Sequence, residues 1–253
     1  MHPAIQEILS RCGTERSVLP PTELFNEGWM LRLVLDWFDK HRKHQRELAF
    51  EPGASWYSEA LLPSRFLPEV RGDSLAESFT HADGVIGHFK IQSGLPGDTV
   101  LAPDPAQPIV TEAKLGSSLS VGTKNAPTFD QAARNVACIA HMLGVAGVQP
   151  SAIKRLAFYV IAPQSQIDSG AFGDLVTKPS IQAKVAQRVA TYGRRHDEWF
   201  ESVFLPTLEH IELGILSWEK TLAAMPSSAE SGSLQDFYAK CLQFNPLRGQ
   251  SAA

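Results

Sequence analysis

Apolar and polar positions change period several times along the chain, and each change marks an element. From Thr22, in TELFNEGWMLRLVLDWFDKHRK, residues Leu24, Leu31, Val34, Leu35 and Phe38 recur at helical spacing. That stripe predicts an amphipathic helix, capped by Thr22 and carrying cations near its C-terminal end. Residues 58–67 (SEALLPSRFL) read as an irregular strand broken by Pro63, residues 80–91 (THADGVIGHFKI) as a second strand and residues 108–115 (PIVTEAKL) as a third. The Pro- and Gly-rich stretch 93–107 predicts a loop between the last two. TFDQAARNVACIAHML predicts a helix opened by Thr128 and closed near Gly144. The run RLAFYVIAP, residues 155–163, is almost continuously apolar, which predicts a strand buried on both faces.

The ends of the chain are less regular. Residues 1–20 predict a short helix and a loop, and two helical segments are expected over 180–204 and 206–224. PSSAESGS reads as a flexible linker, followed by a short amphipathic piece, LQDFYAKCLQF, and a loose tail. The order helix, three strands, helix, strand, helices predicts an α/β fold: a mixed central sheet flanked by helices, with extra C-terminal helices. The expected organisation is one domain over 1–225, with a core at about 22–163, a helical addition at about 180–225, and a flexible linker and tail over 226–253.

Composition narrows the function classes. At 253 residues, 43% hydrophobic and 20% charged, the chain can bury a substantial core. No apolar run approaches the ~20 residues of a membrane helix, so no membrane partner is expected. The N-terminal stretch is too polar for a secretory signal. Cys12, Cys138 and Cys241 form no CxxC pair and read as reduced thiols of a cytoplasmic protein, Cys138 in a core helix, which argues against a cysteine zinc site. The net charge of -4 speaks against non-specific coating of nucleic acid but permits a local basic channel. Basic residues do cluster, at 40–46, at Lys154 and Arg155, and at 194–196.

Four places carry candidate chemistry, and each also has a plain structural reading. Alternation along the third strand puts Glu112 and Lys114 on one side, where they form either a solvated ion pair at a strand end or part of a site. Asp83, in HADGVIG, is either the first residue of an Asp-Gly turn or a carboxylate at a strand start. Glu27 falls on the apolar stripe of the first long helix, three residues after Leu24 and four before Leu31. There a carboxylate needs a partner, a proton or a metal, unless it lies at the rim. Gln131 completes a T-x-x-Q capping box with Thr128, or it contacts a site. His81 shares the expected strand face of Asp83, as a ligand, a base or a polar rim residue.

In chain order these residues resemble the PD-(D/E)xK nuclease superfamily, the restriction-endonuclease-like fold. The resemblance spans about residues 22–163. It implies metal ligation by Asp83, by Glu112 and by the backbone carbonyl of Ala113, with Glu27 near the metal. It implies that Lys114 orients and helps deprotonate the attacking water, and that Gln131 contacts the site. Two departures stand out: Ala82 precedes Asp83 where proline is frequent, and Asn135 stands where some branches carry an aromatic residue. The implied cofactor is Mg²⁺, with Mn²⁺ able to substitute. The implied activity is phosphodiester hydrolysis on nucleic acid, DNA by the habits of the superfamily. The small-residue loop after the third strand is an expected substrate contact through Ser117, Ser118, Ser120 and Lys124, with Asn135 beside it. It lacks the spacing of a nucleoside-triphosphate loop. The alternative expectation is a nuclease-fold module that binds or assembles without cleaving. In either case the C-terminal helices are the expected surface for a second copy or a partner protein.

Overall fold

AFYVIA, the most apolar stretch of the chain, forms strand β6 (Ala157–Ala162), and all six of its residues are buried. The other elements assemble around it in the computed structural model, which describes residues 2–44, 46–92 and 99–246. They are α1 (Pro3–Arg11), α2 (Glu27–Lys40), β1 (Ser55–Leu62), β2 (Thr80–Gly87), β3 (Phe89–Ile91), β4 (Thr99–Leu101), β5 (Pro108–Ala113) and α3 (Gln131–Ala146). After β6 follow α4 (Gln164–Asp168), α5 (Lys178–Ala190), α6 (Asp197–Trp199), a π-helical turn (Phe200–Phe204), α7 (Leu205–His210), β7 (Glu212–Ser217), α8 (Trp218–Ala223) and α9 (Ala229–Phe244). Strands β1-β2-β5-β6-β7 form a mixed sheet in that order: β1, β2 and β5 are antiparallel, while β6 and β7 run parallel to β5. Helix α3 crosses between the parallel strands β5 and β6. The molecule is thus α/β, with a mixed five-stranded central sheet flanked by helices. No helix among the described residues is long and apolar enough to cross a membrane.

Alternation along β6 divides the core in two. Ala157, Tyr159 and Ile161 pack with α2 residues such as Leu31, Val34 and Leu35, together with α8 and α9. Phe158, Val160 and Ala162 pack with Val136, Ala140 and Leu143 of α3 and with α5. The edge of the sheet breaks this rule in one place. Trp56 and Ile86 pack on the α2 side, yet Ala60 and Ala82, each four residues away, pack on the α3 side. A regular strand keeps residues four apart on one face, so β1 and β2 change face between these points. The change centres on Glu59, whose backbone φ is +54°, and on Asp83, which the pairing of Ser58 with Gly84 and Ala60 with Ala82 sets opposite it.

Gly84 is required at this crossing. A Cβ there would lie 2.6 Å from the Thr111 hydroxyl and 3.0 Å from Leu31 Cδ2, while the Thr111 hydroxyl donates to the Gly84 carbonyl at 3.1 Å. Gly84→Ala is therefore expected to destabilise by about 1–3 kcal/mol, as overpacked cores do. Urea unfolding monitored by far-UV circular dichroism measures it, and an unchanged midpoint would contradict the close packing.

Several expectations are corrected. Helix α2 starts at Glu27, capped by Asn26, whose side chain accepts from the Trp29 amide at 2.9 Å; Thr22 lies in a preceding 3-10 turn that begins at Pro21. The first strand begins at Ser55 and runs unbroken to Leu62, ending before Pro63. Within the expected loop 93–107, Thr99–Leu101 is a strand paired with Phe89–Ile91, while 93–98 lies outside the described residues. The helix expected over 206–224 is interrupted by β7, because Glu212–Ser217 finds a parallel partner in β6. The stretch expected as linker and short segment contains the 16-residue helix α9. Ser228 and Ser231 close its first turn as a reciprocal capping box, and Leu234, Tyr238 and Cys241 bury against the α2 side. The tail at 247–253 lies outside the described residues.

Candidate functional site

Pairing between β2 and β5 runs from Gly87 with Pro108 to Gly84 with Thr111, and stops there. The next residues, Asp83 and Glu112, would have been opposite one another. Beyond the end of this ladder the Ala113 amide finds the Asp83 side chain instead, donating to Oδ2 at 2.8 Å. On its other side β5 stays paired with β6 through Ala113 and Ile161, and the Lys114 amide donates to the Ile161 carbonyl at 2.8 Å. The divergence of β2 from β5 thus opens a notch at the end of the sheet. Asp83, Glu112 and Lys114 meet in it.

Glu112 is fully buried and Lys114 is 7% exposed. Lys114 Nζ lies 3.4 Å from Glu112 Oε2 and 3.9 Å from Asp83 Oδ2. Helix α3 supplies the rest of the cradle. Gln131 Nε2 donates to Glu112 Oε2 at 2.6 Å, and Asn135 Nδ2 donates to Oε1 at 2.8 Å. The expected capping box between Thr128 and Gln131 does not form. Asp130 caps α3 through the Ala133 amide, and Thr128 instead donates to Gln187. Gln131 is therefore free to reach Glu112, four residues before Asn135 on the same helical face. Among the described residues one buried acceptor in the cradle has no partner, Asn135 Oδ1.

Burial raises the pKa of the Glu112 carboxyl to about 8, and the neighbouring Asp83 carboxylate adds to the rise; Lys114 and Asn135 act against it. The consequence for stability has a definite sign. Between the ordinary carboxylate value and about 8, the folded protein holds a proton that the unfolded chain releases. Stability from this group is therefore lost as pH rises through that window. Below about pH 6.5 His141 works in the opposite direction, since burial, and secondarily Arg65, hold its imidazole down at about 4. A difference profile separates the two. Melting temperatures of the metal-free protein and of Glu112→Gln, taken from pH 5 to 8.5, should diverge as pH rises, with the variant the more stable. Parallel curves would rule out the raised carboxyl.

The surroundings hold this cluster in place. The Trp218 indole N–H donates to the Lys114 carbonyl at 3.0 Å, and Trp218 is fully buried. Gln166 brackets the turn after β5: its Oε1 accepts from the Gly116 amide at 3.1 Å and its Nε2 donates to the Ser117 carbonyl at 2.8 Å. Neither residue is marked in the sequence by spacing or motif; each is found only through its partner across the fold.

The other candidate residues are placed less centrally. Glu27 is half-buried in the first turn of α2 and makes no hydrogen bond or ion pair to the cluster among the described residues. Its charge acts instead on Cys241 of α9, whose thiol is raised to about 12, mainly by burial. Ser117, Ser118 and Lys124 are exposed. Ser120 is exposed too but tied to α3: its hydroxyl accepts from Arg134 at 2.7 Å, and its amide donates to Gln131 Oε1 at 3.3 Å. Asn135, expected beside substrate, is buried against Glu112. His81 is exposed.

The donor set fits one hard divalent cation. Asp83 and Glu112 crowd two carboxylates at the notch, and Mg²⁺ uses one or two carboxylates while keeping several waters. It is not a site built wholly from protein ligands: among the described residues no group of three or more His, Cys, Asp or Glu side chains is arranged to hold a metal. No protein-family model, curated protein or solved structure matches the chain.

Proposed function

We propose that this protein is a divalent-metal-dependent nuclease of the PD-(D/E)xK type, with a restriction-endonuclease-like core. One observation supports the reading above the rest. Glu112 is a fully buried carboxylate crowded by Asp83 and shared with Lys114, at the point where β2 leaves β5. A fully buried carboxylate beside a half-buried one, with a single ammonium between them, is costly in a merely structural role, and a cation would relieve it.

In this reading Asp83, Glu112 and the Ala113 carbonyl would hold Mg²⁺ or Mn²⁺. Such an ion would supply Lewis acidity. The chain's own groups do the rest. Gln131 and Asn135, one donor to each oxygen, fix the orientation of Glu112. Lys114, within 4 Å of both carboxylates, orients the attacking water and stabilises the negative charge that builds beside it. Trp218 and Gln166 keep the end of β5 and its turn from shifting, since small misplacements are costly in rate. Glu27 has a more distant part, through the first turn of α2. DNA is the proposed substrate, with Ser117, Ser118 and Ser120 on the exposed turn facing it.

The direct test incubates the purified chain with single- and double-stranded DNA and RNA, with Mg²⁺, with Mn²⁺ and with EDTA. Cleavage that requires the cation is the expected result. Absence of cleavage on all four substrates with either cation would overturn the proposal.

A further inference from the structure

An open surface groove of about 330 Å³ lies outside the carboxylate cluster, and none of its lining residues belongs to that cluster. It is lined by Arg65 from the loop after β1, His141 and Val145 of α3, and Arg195, Trp199 and Val203 from the stretch that leads through α6 into the π-helical turn. Its volume is at the lower end of small-molecule sites. π-helical turns recur where a helix is widened for function.

Both arginines are anchored through Nε. Arg65 Nε donates to His196 Nδ1 at 3.2 Å. Arg195 Nε donates to the Tyr192 carbonyl at 3.2 Å, with its guanidinium 5.2 Å over the Tyr192 ring. Among the described residues neither forms an ion pair, and neither donates from its terminal Nη groups. Arg188 shows what a structural arginine looks like in this protein. It pairs with Glu77 at 2.8 Å and gives its terminal groups to the Leu75 carbonyl and the Tyr192 hydroxyl. Arg65 and Arg195 are held at the stem with the fork left open. An open guanidinium fork matches phosphate oxygens in a bidentate way. Burial, and then the charge of Arg65, lower the pKa of both His141 and His196, so these imidazoles are neutral neighbours that can still donate a hydrogen bond. Val145, Val203 and the Trp199 ring form an apolar wall, and the Trp199 indole N–H is buried without an acceptor among the described residues. Glu198 is the one carboxylate on the lining, and it pairs with neither arginine.

We propose that this open groove binds a mononucleotide, its phosphate held by the half-buried Arg65 and the exposed Arg195 and its base packed against Trp199, Val145 and Val203. The site is separate from the metal cluster and does not depend on the nuclease reading. Isothermal titration calorimetry of the full chain, with adenosine 5′-monophosphate and separately with inorganic phosphate, tests it. The nucleotide should bind, and phosphate alone should bind about tenfold or more less tightly, for want of the aromatic contact. R65Q and R195Q should each weaken nucleotide binding by about tenfold or more, as the loss of a charge-assisted contact does. E198Q should tighten it, and E112Q should leave it unchanged. Arg65 also steadies His196, so R195Q decides the matter if R65Q melts early. The proposal is overturned by absence of nucleotide binding, by binding that R195Q leaves intact, by binding lost in E112Q, or by phosphate binding as tightly as the nucleotide.

Discussion

Glu112→Gln is expected to lower cation-dependent phosphodiester cleavage by about 10³-fold or more, the scale on which preorganised charge at a reacting phosphate acts. The same variant should fold, and at pH 8 it should melt above the parent. The change keeps the shape of the side chain and removes a charge that burial and Asp83 both disfavour. The cradle can accept the amide. Gln131 continues to donate to the remaining oxygen, and the Asn135 side chain, whose Oδ1 has no partner, can turn that oxygen toward the new NH2 group. Stability and activity should thus move in opposite directions, a pattern that a structural carboxylate would not produce. Lys114→Met is the companion variant: it removes the ammonium shared by both carboxylates, and cleavage should fall with it. Full cleavage by either variant, measured on whichever nucleic acid the parent cuts, would sink the assignment of these residues.

Trp218→Ala carries the largest expected effect on stability, about 3–5 kcal/mol, as for other buried aromatic residues cut back to alanine. Trp218 is fully buried on the α2 side of the sheet, and its indole N–H holds the Lys114 carbonyl at the end of β5. Trp218→Phe separates these two contributions. It keeps most of the buried ring and leaves a buried carbonyl without its donor, at a cost of about 1–3 kcal/mol. Urea unfolding of the two variants gives the stabilities. The phenylalanine variant should remain folded and cleave more slowly, since the backbone that carries Lys114 has lost its anchor. A phenylalanine variant with unchanged stability and unchanged turnover would show that Trp218 only fills space.

What could be read from the sequence follows from local rules. The two-residue period put Glu112 and Lys114 on one side of a strand, and in the structure both reach the same notch. The continuous apolar run of β6 announced burial on both faces. Asp83 was expected at a strand start or an Asp-Gly turn; it lies instead within β2, fourth of eight residues, and the change of face between Ala82 and Gly84 is what lets its side chain hold the Ala113 amide. Gln131 was ambiguous because its local partner, Thr128, was as good on paper as its distant one. Asp130 took the cap and settled the matter.

The failures share a different cause. Glu212–Ser217 has no strong period of its own, and it is a strand because β6 offers it a free edge. Ala229–Phe244 lies in a stretch rich in Ser and Gly, yet it is helical because Leu234, Tyr238 and Cys241 find an apolar face next to α2. Glu27 was expected on an apolar stripe between Leu24 and Leu31, but α2 starts at Glu27 and leaves Leu24 outside the helix, and its first turn lies beside Cys241 rather than joined to the carboxylates. Gln166 and Trp218 act on residues about 50 and 104 positions away, distances at which no periodicity carries information. The sequence by itself determined the chain order of α2, β1, β2, β5, α3 and β6 and which side chains share a face along β5 and β6, because these depend on neighbours within a few residues. Only the tertiary structure decided which strand pairs with which, where β2 parts from β5, and which distant donors close around Glu112. Those outcomes are set by burial and by hydrogen bonds between segments that the chain brings together only on folding.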